Sequence, residues 1–282
     1  MSNTQSRLTY RSVVTDEAWQ YKIREQKRLE WENSSKYKFW QDIDLSLKRA
    51  RVREVTRKTA EKIILEYEWL GDMAVTTRFY GLFYDNVCGG VICIAPFGCS
   101  RFSGHKFGVD FRKTSYFARG ACAFWTPKGS ASKLLSWAAK EEGARGQLVA
   151  YGFADTDAGE YGTVYQASNW LCLGKQKSLN TQMVKGNRVM DTRLYSAKSR
   201  RGGLTLDEYV NLLKENGWTK QTANRKYLYA SILAEEPEKA LIMSRIKHLI
   251  TDYPKRPAAA VETGSGDQSE IGGLIPTPPL QI

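Results

Sequence analysis

Residues 116–174 constrain the fold more than any other part of the chain. An apolar run over 116–125 leads into the turn formers Thr126, Pro127, Lys128, Gly129, Ser130 and Ala131, and Leu134, Leu135 and Ala138 then give one apolar face to a helix over 132–142. Gly143 and Gly146 end that helix. A second buried strand covers 147–153, and the loop beyond it carries Asp155, Asp157 and Glu160 ahead of a short helix over 163–170. Strand, helix and strand in this order make an α/β unit, and they bring polar groups to the end of a sheet where ligands of open α/β proteins bind.

Several residues of the stretch bear on chemistry. Arg119 is the one charge in its strand, and an arginine among buried residues is aimed at a partner. Gly129, Ser130, Ala131 and Ser132 are small enough to leave the first N–H groups of the helix uncovered, so that a phosphate or oxyanion can settle there. The alternative is a plain helix start with Ser130 or Ser132 as N-cap. Asp155 ends its strand on the same side as the Gly129 turn, which suits a catalytic carboxylate as well as a helix cap or solvated turn. Tyr165, Gln166 and Asn169 follow on the short helix.

The chain has 282 residues, enough for one core with appendages, and a formal net charge of +12. Such an excess draws polyanions through phosphate contacts and counterion release, although a solvated basic surface has the same composition. Cys88, Cys93, Cys99, Cys122 and Cys172 form no CxxC pair, and their odd number argues for reduced thiols in a cytoplasm rather than a disulfide framework. With only His105 and His248, no His-rich metal site is expected, while carboxylate ligands stay open. No leader and no apolar run of membrane-spanning length stand out, so a soluble protein without a membrane partner is expected.

Residues 1–47 read as a basic, aromatic arm, with a helix over 16–33 that turns Trp19 and Ile23 inward. In 36–40 aromatic rings alternate with lysines. That interleaving suits a nucleic-acid strand and equally suits an arm folded onto its own domain, the reading preferred for the tryptophans. Next come a strand over 48–55, a helix from the Thr56 cap to Trp69, and a hairpin of 78–83 with 88–94. A long loop over 97–113 would serve as a lid or touch substrate. After the central stretch, a hairpin over 182–190 turns at Gly186-Asn187, and a flexible cationic loop over 198–203 carries Lys198, Arg200 and Arg201. A helix over 206–216, a sheet-edge strand over 227–233, a basic helix over 239–251 and a disordered tail complete the chain. The expected divisions are the arm, a catalytic domain over 48–234, a basic helix over 235–253 and the tail over 254–282.

These residues resemble the Gcn5-related N-acyltransferase fold, whose turn before the helix cradles the pyrophosphate of acyl-CoA. Gly129 and Ala131 fit that turn, and Thr126 stands where the family has Gln or Arg. The resemblance is closer to the phage Mom-type proteins, a branch of this fold that modifies adenine in viral DNA with a carbamoylmethyl group. It is carried by 66–71, 80–83, 119–122, the turn and helix over 129–135, and above all 155–169. The resemblance implies an α/β fold with a curved mixed sheet and helices on both faces. It implies that Arg119, Ser130 (or Ser132), Asp155 and Tyr165 line the reaction site, with Glu68 where relatives often carry His. The partner it implies is DNA, in the cytoplasm of an infected host; the acyl donor is left open among an acyl-CoA, an aminoacyl-tRNA or another carrier.

From these residues a mechanism can be expected. N–H groups around Gly129, Ser130 and Ala131 would take the oxyanion or donor phosphate, Asp155 would hold or deprotonate the amine, and Tyr165 would protonate the leaving group. Arg119 would orient Asp155 or anchor the donor. Lys198, Arg200 and Arg201 would meet the DNA backbone. Trp125, or Trp170 with Asn169, would meet an extruded base. An ordinary acyl-CoA-dependent N-acyltransferase and a non-catalytic DNA-binding protein on this fold are the alternatives.

Overall fold

The computed structural model describes residues 18–95, 101–176, 181–186, 188–222 and 226–256. Helix α1 (Trp19–Glu32) buries Ile23 and carries exposed pairs such as Arg28 with Glu25 and Glu32. Strand β1 (Arg51–Glu54) leads into α2 (Arg57–Tyr67), which starts where the Thr56 hydroxyl accepts the Thr59 N–H at 3.3 Å. Ala60, Ile63, Ile64 and Tyr67 recur at helical spacing and are buried on its inner side. Strands β2 (Arg78–Tyr84) and β3 (Val87–Ala95) form the expected antiparallel hairpin.

Helix α3 (Arg101–Phe107) occupies much of the segment expected to be a loop. Its glycines hide any helical period, and tertiary burial decides: Phe107 is fully buried against Tyr151 and two isoleucines further on, Ile242 and Ile246. Strand β4 (Thr114–Cys122) stops before Trp125, and α4 (Ser130–Ala144) follows. Strand β5 (Val149–Ala154), the single-turn helix α5 (Thr163–Gln166) and β6 (Leu171–Lys175) complete the central stretch.

A second, smaller unit comes next: β7 (Thr181–Lys185), β8 (Arg188–Asp191), α6 (Thr192–Arg201), α7 (Leu206–Glu215) and β9 (Thr219–Thr222). Its strands form a separate antiparallel sheet in the order β8-β7-β9, over a core of Met183, Met190, Tyr195, Val210 and Leu213. The basic run expected to be a flexible loop is the end of α6. The chain returns through β10 (Tyr227–Ile232) and α8 (Glu238–Ile246); the tail from 257 lies outside the described residues.

The main sheet has seven strands in the order β1-β2-β3-β4-β5-β10-β6. As expected it is one mixed sheet with helices on both faces: α2 covers β2, β3 and β4 on one side, and α4 packs on the other. Glu142 of α4 is fully buried and accepts hydrogen bonds from Arg78, Tyr80 and Ser115, tying the helix to β2 and β4. Burial pushes its pKa up, but those three donors outweigh burial and hold it below the usual carboxylate value.

Strand β10 is not at the edge. It inserts between β5 and β6, with Leu228 and Ala230 in the cluster that holds Ile242 and Ile246, and Tyr229 in the main core. Its alternation separates two buried faces rather than a dry face from a wet one.

The site depends on one junction. Among the described residues, strands β4 and β5 are the only parallel neighbours in the sheet, and they pair through Thr114, Ser115 and Tyr116 with Val149, Ala150 and Tyr151. Beyond that point β4 stays with β3 and β5 stays with β10. The two strands part toward their C-terminal ends and leave a wedge in the sheet.

Candidate active site

Asp155 lies where β5 stops, on one wall of the wedge. Its Oδ1 accepts the Asp157 N–H at 3.1 Å, capping a short turn, and its Oδ2 is 2.5 Å from Nζ of Lys226, just ahead of β10. Burial works against the Lys226 charge, yet the Asp155 carboxylate more than compensates and keeps its pKa above that of an ordinary lysine. A second carboxylate closes the group. Glu160 accepts the Trp69 indole N–H at 3.0 Å and the Asp155 backbone N–H at 3.4 Å, and so links the loop after β5 to the turn after α2. Burial, reinforced by the Asp155 charge, pushes Glu160 up to about 7.

Glu68 precedes Trp69 in that turn. It is buried and accepts the Gly71 N–H at 3.0 Å. Burial pushes it up to about 8; the Arg119 charge works against this, and the Glu160 charge adds to it. A carboxyl titrating near neutrality therefore stands in the turn after α2.

Arg119 does not reach Asp155. Its Nη2 is 2.7 Å from Asp72 Oδ1, its Nε donates to the Asp72 carbonyl at 3.1 Å, and its Nη1 donates to the Ala118 carbonyl at 2.7 Å. A shift of register between Cys93 and Ile94 leaves Ala118 as the extra residue of β4 beside it. Burial opposes the guanidinium charge, while Glu68 and Asp72 hold its pKa above the usual value.

Tyr165 projects from α5 toward β5. Its ring stacks on Tyr229 at 5.0 Å and tilts against Trp170 at 5.1 Å, and a Cβ built on Gly152 would meet the hydroxyl at 2.2 Å. Burial first, then the charge on Glu160, raises the phenol pKa, so the hydroxyl stays protonated.

The turn before α4 keeps half of its expected role. Gly129 is left-handed, with φ of 94°, and no side chain caps the helix, so Ala131 and Ser132 begin it without a competing acceptor at that end. Ser130, however, is buried: it shares a hydrogen bond of 2.7 Å with the Tyr84 hydroxyl and donates to the Pro127 carbonyl at 2.5 Å. It ties the turn to the sheet and is not a catalytic hydroxyl. Ser132 bonds back to the Gly129 carbonyl at 3.0 Å.

Neither expected stacking tryptophan is available to a base. Trp170 is 1% exposed, with its ring edge-on to Phe117, and Trp125 is packed against Phe39 and Tyr84. Large apolar rings in an amphipathic stretch went to the core, as burial of that much surface favours. Asn169, left-handed at φ of 57°, is exposed beside Tyr165 and Trp170. Lys198, Arg200 and Arg201 are exposed on the last turn of α6, in the smaller unit.

The sequence alone gives Lys226 and Asp72 no part in the site, and it gives Trp69 only as one of the residues that carry the resemblance. The Glu-Trp pair at the end of α2 was a faint signal; Lys226 gave none, because a lysine before a strand has no pattern of its own. Among the described residues, no group of three or more His, Cys, Asp or Glu side chains is placed to hold a metal ion, and no helix is long and apolar enough to cross a membrane.

Solved structures similar to this chain include a putative acetyltransferase from Salmonella typhimurium with acetyl-CoA, at 10% identity and a TM-score of 0.41 over 67% of this chain and 96% of that one. A Bacillus subtilis acetyltransferase in complex with CoA gives 9% and 0.35 over 66% and 99%. The ribosomal L7/L12 α-N-protein acetyltransferase RimL gives 13% and 0.36 over 68% and 99%. Likenesses of this size say nothing of chemistry. Among curated proteins no match was found. The profile of the Mom protein family matches residues 49–255, which take in the whole of the wedge and both of its carboxylates, and the chain belongs to that family.

Proposed function

We propose that this chain is a transferase that adds a carbamoylmethyl-type group to the exocyclic amine of adenine in phage DNA, and so shields that DNA from host restriction. Membership of the Mom protein family supports the reading, and one geometric observation carries it: an ion-paired carboxylate, Asp155, stands beside a second, Glu160, that titrates near neutrality.

The adenine amine is a weak nucleophile, because its lone pair is delocalised into the ring. Its proton has to leave as the new bond forms, and a base titrating near the working pH serves that step. In this reading Asp155, held by Lys226, positions the amine, and Glu160 accepts the proton. Tyr165 gives a proton to the leaving group. The uncapped N-terminus of α4 receives the donor's phosphate or the developing oxyanion as an acyl-CoA or an aminoacyl-tRNA passes its carbonyl carbon to the amine and its thiol or ribose hydroxyl leaves; a glycyl adduct made in that way has the same atoms as a carbamoylmethyl group and becomes one by isomerisation. Arg119 braces the Asp72 turn that carries Glu68 and Trp69 to the site.

The target amine lies inside a duplex, so the substrate is a flipped or single-stranded adenine. The net charge of +12 draws the DNA, with Lys198, Arg200 and Arg201 meeting its backbone and Asn169 standing by the reacting base. The left-handed Gly129 and the open helix end also suit an ordinary acyl-CoA-dependent N-acyltransferase acting on a small amine or a protein.

The test is to express the protein beside a plasmid in a host without related enzymes, digest the plasmid to nucleosides and measure their masses. Added mass on deoxyadenosine that disappears with Asp155→Ala is the expected result. Unmodified nucleosides from a folded, expressed protein would reject DNA as the substrate.

A further inference from the structure

Helix α1 lies outside the residues matched by the family profile, yet it is bonded both to the end of α2 and to the segment that follows β4 on one side of the wedge. Two side chains one helical turn apart make those bonds. Gln20 donates from Nε2 to the Tyr67 carbonyl at 2.5 Å, at the last residue of α2 and directly before Glu68 and Trp69. Arg24 donates from Nη2 to three carbonyls, those of Ala123 at 3.2 Å, Phe124 at 3.3 Å and Thr126 at 3.2 Å. Those residues join the end of β4 to the Gly129 turn.

Ala123 still donates its N–H to the Gly89 carbonyl at 2.7 Å and its own carbonyl also accepts from Thr126, but beyond it the backbone has left the β ladder, and half-buried carbonyls without donors cost free energy. One guanidinium nitrogen, Nη2, reaches all three with its two N–H groups shared among them, and a lysine, whose ammonium stands one bond nearer the backbone, would fall short of them. Rings hold the same segment from the side: Trp40 lies edge-on to Phe124 at 5.0 Å, Phe39 to Trp125 at 5.7 Å, and Trp31 to Trp40 at 5.3 Å. The arm thus grips the segment ahead of the Gly129 turn and the turn that carries Glu68, through the polar side chains of α1 and the rings of Phe39 and Trp40 that follow it.

We propose that α1 is a clamp that fixes the turn after β4 relative to the turn after α2, and that Arg24 is a positioning residue for the donor-binding turn. Gln20 does the same for the turn that presents Glu68 and Trp69 to Glu160. The donor-binding role rests on the function proposed above; the clamp itself does not.

The experiment uses the full chain with Arg24→Lys, Gln20→Ala and, as a control on the exposed side of α1, Arg28→Gln. Hydrogen exchange of the backbone is read at 123–133 and 64–71. Rates of DNA modification are measured with undialysed host-cell extract as the donor source, varying the extract at fixed DNA and then the DNA at fixed extract. Arg24→Lys is expected to speed exchange at 123–133 and to raise the extract needed for half-maximal rate about tenfold, leaving half-saturating DNA unchanged. Gln20→Ala is expected to speed exchange at 64–71, and Arg28→Gln to change neither. Unaltered exchange at 123–133 in Arg24→Lys overturns the clamp, and equal shifts in the extract and DNA requirements overturn its donor specificity. If the wild-type protein adds no mass to DNA, the functional reading falls while the exchange measurement still decides the clamp.

Discussion

Glu68 and Glu160 are held by burial on the protonated side of their ordinary range, at about 8 and about 7 against a reference of 4.5. A carboxyl whose pKa is higher in the folded than in the unfolded chain binds more protons when folded. Its contribution to stability is complete below the unfolded value and is lost as pH rises through the folded one. The thermal midpoint is therefore expected to fall by several degrees between about pH 5 and about pH 9. Glu68→Gln, which keeps the shape and removes the titration, should flatten much of that fall in a melting series; a slope equal to wild type would show that Glu68 ionises elsewhere. The sequence displayed Glu68 and Glu160 as letters, but burial makes them unusual, and burial belongs to residues far away in the chain. Arg119 illustrates the same limit. A lone arginine in an apolar strand was rightly read as aimed at a partner, and the partner proved to be Asp72 rather than Asp155, because a bulge at Ala118 determines its direction.

Helix α5 meets β5 with no room to spare, since Gly152 is the only residue that lets the Tyr165 hydroxyl lie against the strand. The ring cannot easily swing aside, being stacked on Tyr229 and tilted against Trp170. Gly152→Ala should displace the hydroxyl and lower DNA modification at least about tenfold with the fold retained. Combining it with Tyr165→Phe should add no further loss to that of Tyr165→Phe alone, as measured by the yield of modified deoxyadenosine. An additive double variant would mean that the glycine acts elsewhere. At this scale the sequence was most informative where local physics decides: Thr56 caps α2, the β2–β3 hairpin turns where turn residues stand, and the glycines around 143–146 mark the end of α4. It was least informative where a distant partner decides, as for α3, for the buried interior of β10, and for the third strand that turns the 182–190 hairpin into a sheet.

Across the whole molecule, the net charge of +12 is not gathered on one element, since Lys22, Arg24, Lys27 and Arg28 stand on α1 and Lys198, Arg200 and Arg201 on α6, and this limits what any local change can do. Binding to DNA is expected to weaken steeply with salt, and the combined variant Lys198→Gln, Arg200→Gln and Arg201→Gln should reduce the slope of log affinity against log salt by about 2 to 3. A fluorescence titration at several salt concentrations measures it; an unchanged slope would move the DNA away from α6. The division between the main sheet and the three-stranded sheet was not legible beforehand, because β7, β8 and β9 read individually as ordinary short strands.

The short parallel contact between β4 and β5 also orders events in time. The ladder from β1 to β4 is built almost wholly from neighbours in the chain, so it can zip as it leaves the ribosome. The ladder on the other side waits for β10, and Lys226 is not made until the entire smaller unit has been. Until then Asp155 has no ammonium to meet and β5 lacks one of its neighbours. A chain interrupted anywhere in that interval would hold a finished left half, an unfinished right half and an Asp155 without its ion-pair partner, so the architecture completes the proposed site only after the smaller unit has been made.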